Sequence, residues 1–439
     1  MERDACHAWL TELRYIGKLG IALGRLVMKI ASALLILFGA PAIAGNPAFA
    51  QGNELEIVNI RIGQGDATLI RGPENASGKR IVVLFDAGDD ARSTDADYEG
   101  GKIVSAVLKR RGISHIDYVV ISHYDEDHIG GLIIDKDRKN ASLLFGPNGV
   151  PGAPGDDDGN GKADWADDDP QSPYPEEYGK GDDITVGTFV DRGDEQSESS
   201  GQQFGTPPYK LYVSLAKSSG NRLSLDTQSK LDDFSIDLGE GAKMLPYASA
   251  GRIRGGSGKV ADVNTENEHS VSMLVTYGKF DFLVSGDLIG QKHGSEDAKV
   301  ERAVGSKLQA EGKIVDVLHV NHHGANNGSD AMFLEQIKPT IAVISHGNVG
   351  SYKHPNIAAL KRLEAAKVYR IIQTKWGTTE LSICKSKQEC ETVRKNESPV
   401  RDIQAVYQND VVITSDGQNY TVSTSRTFPA DSNPRRPSN

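Results

Sequence analysis

The densest chemistry in the chain is His123-Tyr124-Asp125-Glu126-Asp127-His128, which follows the apolar run IDYVVIS and precedes Ile129-Gly130-Gly131-Leu132. Two imidazoles and three carboxylates in six residues at the end of a buried strand are costly unless something neutralises and orders them. A solvated acidic turn would gain nothing from such crowding. Imidazole nitrogen and carboxylate oxygen are donors for Zn²⁺ or Mn²⁺, and a strand end gives the first ligands a rigid base. One or two such ions lower the pKa of a bound water towards neutrality and offset charge developing on the attacked centre, which is hydrolase chemistry. Asp127 could also orient the nucleophile. Gly63-Gln64-Gly65-Asp66 reads first as a tight turn, with Asp66 able to support a ligand from behind. His115, His293 and His319 have no partner pattern and read as structural.

The spacing HxDxDH resembles the metallo-β-lactamase superfamily, whose HxHxDH motif follows a strand, with Asp125 in place of the second histidine. VNIRIGQGDATLI, FDAG, SHYDEDHIGGL, NEHSVSMLV, FLVSGDL, VNHHGANNGS and ISHGNVGSYKHP resemble, in the same order, the soluble hydrolase-like domain of ComEC-type competence proteins, over about Leu55 to Ser382. The resemblance implies an α/β chain of αββα sandwich fold. It also implies that His123 and Asp125 bind a first metal, that Asp127 and His128 face a second, and that Asp287 bridges the two. Asp86 would occupy the place of the first motif, behind the ligands. His322 or His323 would be a late ligand, with the following glycine turn favouring His323. His269, the one histidine between His128 and Asp287, is either a ligand or substrate contact or a plain loop position. His354, before Pro355, would contact substrate or transfer a proton.

The elements that position these residues are short apolar runs closed by Gly, Asp or Pro: LEIVNIRI, ATLIRG and RIVVLFDAG predict strands, and residues 102–111 and 356–367 predict helices. Residues 271–287 predict a hairpin around Tyr277-Gly278, and 314–320, 340–345 and YRIIQT predict further strands. The alternation of strands and helices is an α/β rhythm over a metallo-hydrolase domain at 51–382. Residues 146–208, dense in Gly, Pro, Asp and Ser, predict an insertion or lid apart from the core, and 383–439 a β-rich extension. Within the insertion Asp156, Asp158, Asn160, Asp164 and Asp167 stand at positions 1, 3, 5, 9 and 12 of a loop with Gly161 at 6, which is either a Ca²⁺ loop or a solvated acidic one.

The chain has 439 residues, 60 acidic against 49 basic, and a net charge of −11. Its composition excludes collagen, coiled coil and polytopic channel, and its acidity argues against a stable nucleic-acid coat. The apolar stretch 30–43, about 14 residues, is too short to span a bilayer, and with Arg25 and Lys29 before it and AGNPAFA after it reads as a secretory signal within a leader at 1–50. Its removal takes five basic and three acidic residues, shifting the charge to −13. The expected location is periplasmic or extracellular, with no membrane attachment after cleavage, where Cys384 and Cys390 could pair. Three functions compete: a phosphodiesterase or nuclease-like enzyme, a lactone, ester or amide hydrolase, and a binding module without turnover. The sequence sets no oligomeric state.

Overall fold

A computed structural model of the protein describes residues 52–89, 100–133, 144, 184–194, 205–260, 263, 265–290, 299–347, 354–374, 404–406, 410–423 and 427–430. The leader, the acidic loop from Asp156 to Asp167, His293, Cys384 and Cys390 lie outside the described residues. Among the described residues no helix is long and apolar enough to cross a membrane.

The strands form two sheets, each of nine strands among the described residues. In the first, β1 (Leu55–Asn59), β2 (Thr68–Arg71), β3 (Val82–Phe85), β4 (His115–Val120), β5 (Thr185–Asp191) and β6 (Arg222–Ser224) lie side by side in chain order. β16 (Val411–Ser415), β17 (Asn419–Val422) and β18 (Thr427–Pro429) extend this sheet beyond β1. The second sheet contains β7 (Ile236–Gly239), β8 (Ala242–Ser249), β10 (Ser272–Tyr277), β11 (Phe280–Val284), β12 (Val317–His319), β13 (Ile341–Ile344), β14 (Arg370–Gln373) and β15 (Gln404–Val406), and β9 (Arg252–Ile253) pairs with β8. β3 to β6 run parallel, as do β11 to β15.

The period-2 alternation of strand side chains sets the layers. Ile57, Ile70, Val83, Phe85 and Val120 of the first sheet meet Met273, Val275, Phe282, Val317 and Val343 of the second in one shared core. Their neighbours Val58, Leu69, Leu84 and Val119 turn outward and pack under α1 (Gly100–Arg110) and α3 (Pro207–Ser218). Leu274, Leu283, Leu318 and Ala342 do the same under α5 (Val300–Ala310), α6 (Ala331–Ile337) and α7 (Ile357–Ala365). Two further short helices are α2 (Glu126–Ile129), after β4, and α4 (Gln228–Asp233). Burial on both faces is why the parallel strands read as unbroken apolar runs. The result is the αββα sandwich that the resemblance implies.

The stretch 146–208 is not all insertion, and this corrects the expectation above. It supplies β5, between β4 and β6, with Phe189 and Val190 fully buried, and Thr206 accepts a hydrogen bond from the first turn of α3. Thr185, Gly187 and Thr188 dilute the apolar signal of β5 inside an Asp- and Gly-rich tract. Of the described strands after residue 383, β15 extends the second sheet beside β14, and β16, β17 and β18 belong to the first, with β16 antiparallel to β1 from Leu55↔Ser415 to Asn59↔Val411.

Candidate metal centre

Polar residues follow the carboxyl ends of parallel strands from both sheets: Asp86 after β3, His123 to His128 after β4, Asp287 after β11, and His322 and His323 after β12. Such strand ends are where α/β sheets present their functional groups. A backbone bond joins the two sheets here, Val271 N–H donating to Ser122 O (2.8 Å), and within the second sheet His322 N–H donates to Gly286 O (3.1 Å), tying the loop after β12 to the turn after β11. Gly286 has φ +52°, and a Cβ there would lie 2.5 Å from Ser122 Cβ, so only glycine lets the strand ends approach this closely.

Asp287 lies at the centre. Its Oδ1 is 3.3 Å from His128 Nε2 and 3.4 Å from His323 Nε2, and His323 Nε2 is also 3.3 Å from Asp127 Oδ2. Tetrahedral donors on an ion with bonds of about 2.0–2.2 Å stand about 3.4 Å apart, so these spacings suit a divalent cation. The chemistry of the atoms agrees: His123 Nε2, His128 Nε2, His323 Nε2 and Asp287 Oδ1 are buried without a hydrogen-bond partner. Asp66, His128, Asp287 and His323 each place one donor atom within 4.8 Å of the others. On the other side, His322 Nε2 is 3.6 Å from Asp287 Oδ2, and His123 Nε2 is 3.4 Å from Asp125 Oδ2. Burial opposes charge throughout, but the histidines hold Asp287 well below the usual carboxylate range, and His128 and His323 hold Asp127 below it too. Burial is likewise overcome at His128 and His323, which Asp287 and its acidic neighbours raise well above an ordinary imidazole.

Residues 60–197 match the family model of the metallo-beta-lactamase superfamily. The chain is 22% identical over 330 residues to ComE operon protein 3 of Bacillus subtilis (strain 168), covering 73% of this chain and 32% of that one. It is 35% identical over 102 residues to Recombination protein 2 of Haemophilus influenzae, covering 23% of this chain and 11% of that one. The chain carries a metallo-β-lactamase domain. It spans about a third or less of the length of these curated relatives. A similar solved structure is Tm1679, a metal-dependent hydrolase of the β-lactamase superfamily, at 13% identity and TM-score 0.37 over 73% of this chain and 95% of that one.

Behind the donors of the metallo-β-lactamase domain stands a layer of acceptors. Asp86 Oδ2 accepts from His128 Nδ1 (2.8 Å) and from Ser122 Oγ (2.7 Å), and its Oδ1 accepts from Ser122 N–H (2.7 Å). Ser122 Oγ in turn lies 2.9 Å from His123 Nδ1, and the Ser345 carbonyl 3.1 Å from His323 Nδ1. A carboxylate and a carbonyl accept only, so Nδ1 of His128 and His323 carries hydrogen and Nε2 is the face offered to an ion. Gln64 Nε2 donates to Asp127 Oδ2 (2.8 Å). Asp66, expected behind a ligand, lies 3.3 Å from His323 Nδ1 and is also one of the four mutually close donors.

Of the other expected residues, His269 is buried on the turn Asn267–His269 but is not in the four-donor group. The residue of that turn near the centre is Asn267, whose amide is 3.4 Å from His322 Nε2. His354 stands 5.9 Å, ring to ring, from both His322 and His323, and burial together with those two histidines pushes its pKa down to about 3. His319, read as structural, lies behind the centre with Nε2 3.5 Å from Asp66 Oδ1. Ser122, Ser345, Asn267 and the role of Gln64 were not foreseen. All four lie in segments that carry the resemblance, and Gln64 also stood in the glycine turn.

Proposed function

We propose that the chain is an exported, metal-dependent phosphodiesterase, nuclease-like in its chemistry and using one or two Zn²⁺ or Mn²⁺ ions. The observation that carries this reading is the convergence on Asp287 of buried Nε2 and carboxylate atoms that have no hydrogen-bond partner. Asp127, His128, His323 and Asp287 would hold one ion, and His123, Asp125, His322 and Asp287 another. When bound, such ions acidify a water and offset charge on the attacked phosphorus. Asp127, fixed by Gln64, orients the nucleophile, and neutral His354 at the rim offers a hydrogen bond to the substrate.

The names of the relatives, competence and recombination proteins, favour a nucleic-acid phosphodiester over a carboxylic ester. A net charge of −11 means that the ions themselves supply the local attraction for phosphate. Export rests on the basic, apolar and AFA pattern of the leader. Protein loaded with Mn²⁺ or Zn²⁺ is expected to cleave bis-p-nitrophenyl phosphate, with Asp127→Ala and His123→Ala each lowering kcat by about 100-fold or more. Lactone opening without phosphodiester cleavage would remove the substrate class. Full activity in both variants would remove the site.

A further inference from the structure

We propose that the buried Arg192–Glu266 pair is a positioning device for the His123 and Asp125 half of the centre, acting through the backbone of Tyr124. This rests on the metal reading above. Tyr124 lies between two proposed ligands, and along extended backbone its side chain projects away from theirs. It is held in three ways. Its N–H donates to Glu266 Oε1 (3.0 Å), its hydroxyl donates to Gly193 O (2.9 Å), and its ring lies under the Arg192 guanidinium, 4.4 Å from centroid to carbon.

The partner of the N–H is itself fixed. Arg192 grips Glu266 with two parallel bonds, Nε to Oε1 (2.7 Å) and the terminal nitrogen to Oε2 (2.6 Å), with Arg192 fully buried and Glu266 2% exposed. A planar fork of this kind leaves the carboxylate one orientation, and so leaves the Tyr124 amide one place to donate. Stability alone does not account for the pair, because the desolvation of two buried charges largely offsets their attraction. Its location does. Arg192 follows β5 in the first sheet, while Glu266 immediately precedes Asn267, whose amide reaches His322. One rigid pair thus sets the distance between the β4 loop and the segment facing His322. Without an acceptor, the buried Tyr124 N–H would have to turn towards another partner, carrying His123 and Asp125 with it.

The test is titration of metal-free protein with Co²⁺, followed by equilibrium dialysis and by visible absorption, which reports coordination geometry independently of turnover. Glu266→Ala removes the acceptor and is expected to weaken binding about 10-fold or more and to change the absorption band. Glu266→Gln keeps an oxygen for Tyr124 N–H and is expected to bind at least about threefold more tightly than Glu266→Ala. Equal affinity in the two variants, or unaltered binding and absorption in Glu266→Ala, overturns the proposal. If Glu266→Ala does not fold, Arg192→Lys, which keeps the charge and loses the fork, decides: a weakened, spectrally altered site supports the device and an unaltered one overturns it. Failure of the unsubstituted protein to bind Co²⁺ would overturn the metal reading itself, and this proposal with it.

Discussion

The carboxylate of Asp86 accepts from three donors at once, Ser122 N–H, Ser122 Oγ and His128 Nδ1. To do so the residue adopts φ +56°, a left-handed conformation that Asp tolerates better than most side chains. Asp86→Asn keeps the size but turns one acceptor into a donor facing His128 or Ser122. Ion affinity is expected to fall about 10- to 100-fold, measured by dialysis against buffered Zn²⁺, while the variant remains folded. Unchanged affinity would show that His128 needs no support from behind. The ligand types were legible because they crowd into polar tracts after apolar runs. The choice between His322 and His323 was not. Both have φ +52°, a conformation outside any strand or helix periodicity, and it sends them to opposite oxygens of Asp287. Ser122 and Glu266 were illegible for another reason: a lone polar residue gains meaning only from a partner far along the chain.

Among the elements, the strand-end loops are as constrained as the strands. The turn after β11 crosses the loop after β4 at Gly286, where an added Cβ meets Ser122 Cβ and Oγ at 2.5 and 2.6 Å. Both atoms belong to the side chain that orients His123 and leans on Asp86, so neither can retreat without moving a donor. Gly286→Ala is therefore expected to cost about 1–3 kcal/mol in denaturant unfolding, from overpacking and the positive φ, and to weaken ion binding together with stability. Loss of stability with ion affinity intact would place the strain elsewhere. At this scale two helices were readable almost to their ends, Gly100–Arg110 against a prediction of 102–111 and Ile357–Ala365 against 356–367, whereas α3, α5 and α6 were not predicted. The error was β5. Its apolar residues are interrupted by Thr and Gly, and its texture was absorbed into the acidic tract beside it, although it pairs with β4 and β6 on both sides and buries its end from Phe189 to Asp191.

For the whole molecule, the centre is a junction between sheets: Asp86, Asp127 and His128 come from the first, Asp287 and His323 from the second. An ion bound there would tie the sheets together, and binding to the folded state alone stabilises by about 2.7 kcal/mol at 100 times Kd. Protons compete for the same atoms. In the metal-free protein Asp287 and the neighbouring carboxylates raise His128 and His323 well above the ordinary imidazole value of 6.5, so their ion pairs stabilise fully below that value and are lost as pH rises through the raised ones. Asp127 and Asp287 are shifted the other way, below 3.8, so their contribution is present above that value and lost only as pH falls through the lowered ones. As pH rises through those raised values the metal-free centre loses its internal cations while the carboxylates stay charged, so protons compete less and less with a divalent ion for the same atoms. The rise in Tm on adding Zn²⁺ or Mn²⁺ to chelator-treated protein is accordingly expected to grow from pH 6 to pH 8.5, with proton release on binding at the lower pH. An increment that is flat or shrinks over that range would mean that these histidines are not where the ion binds.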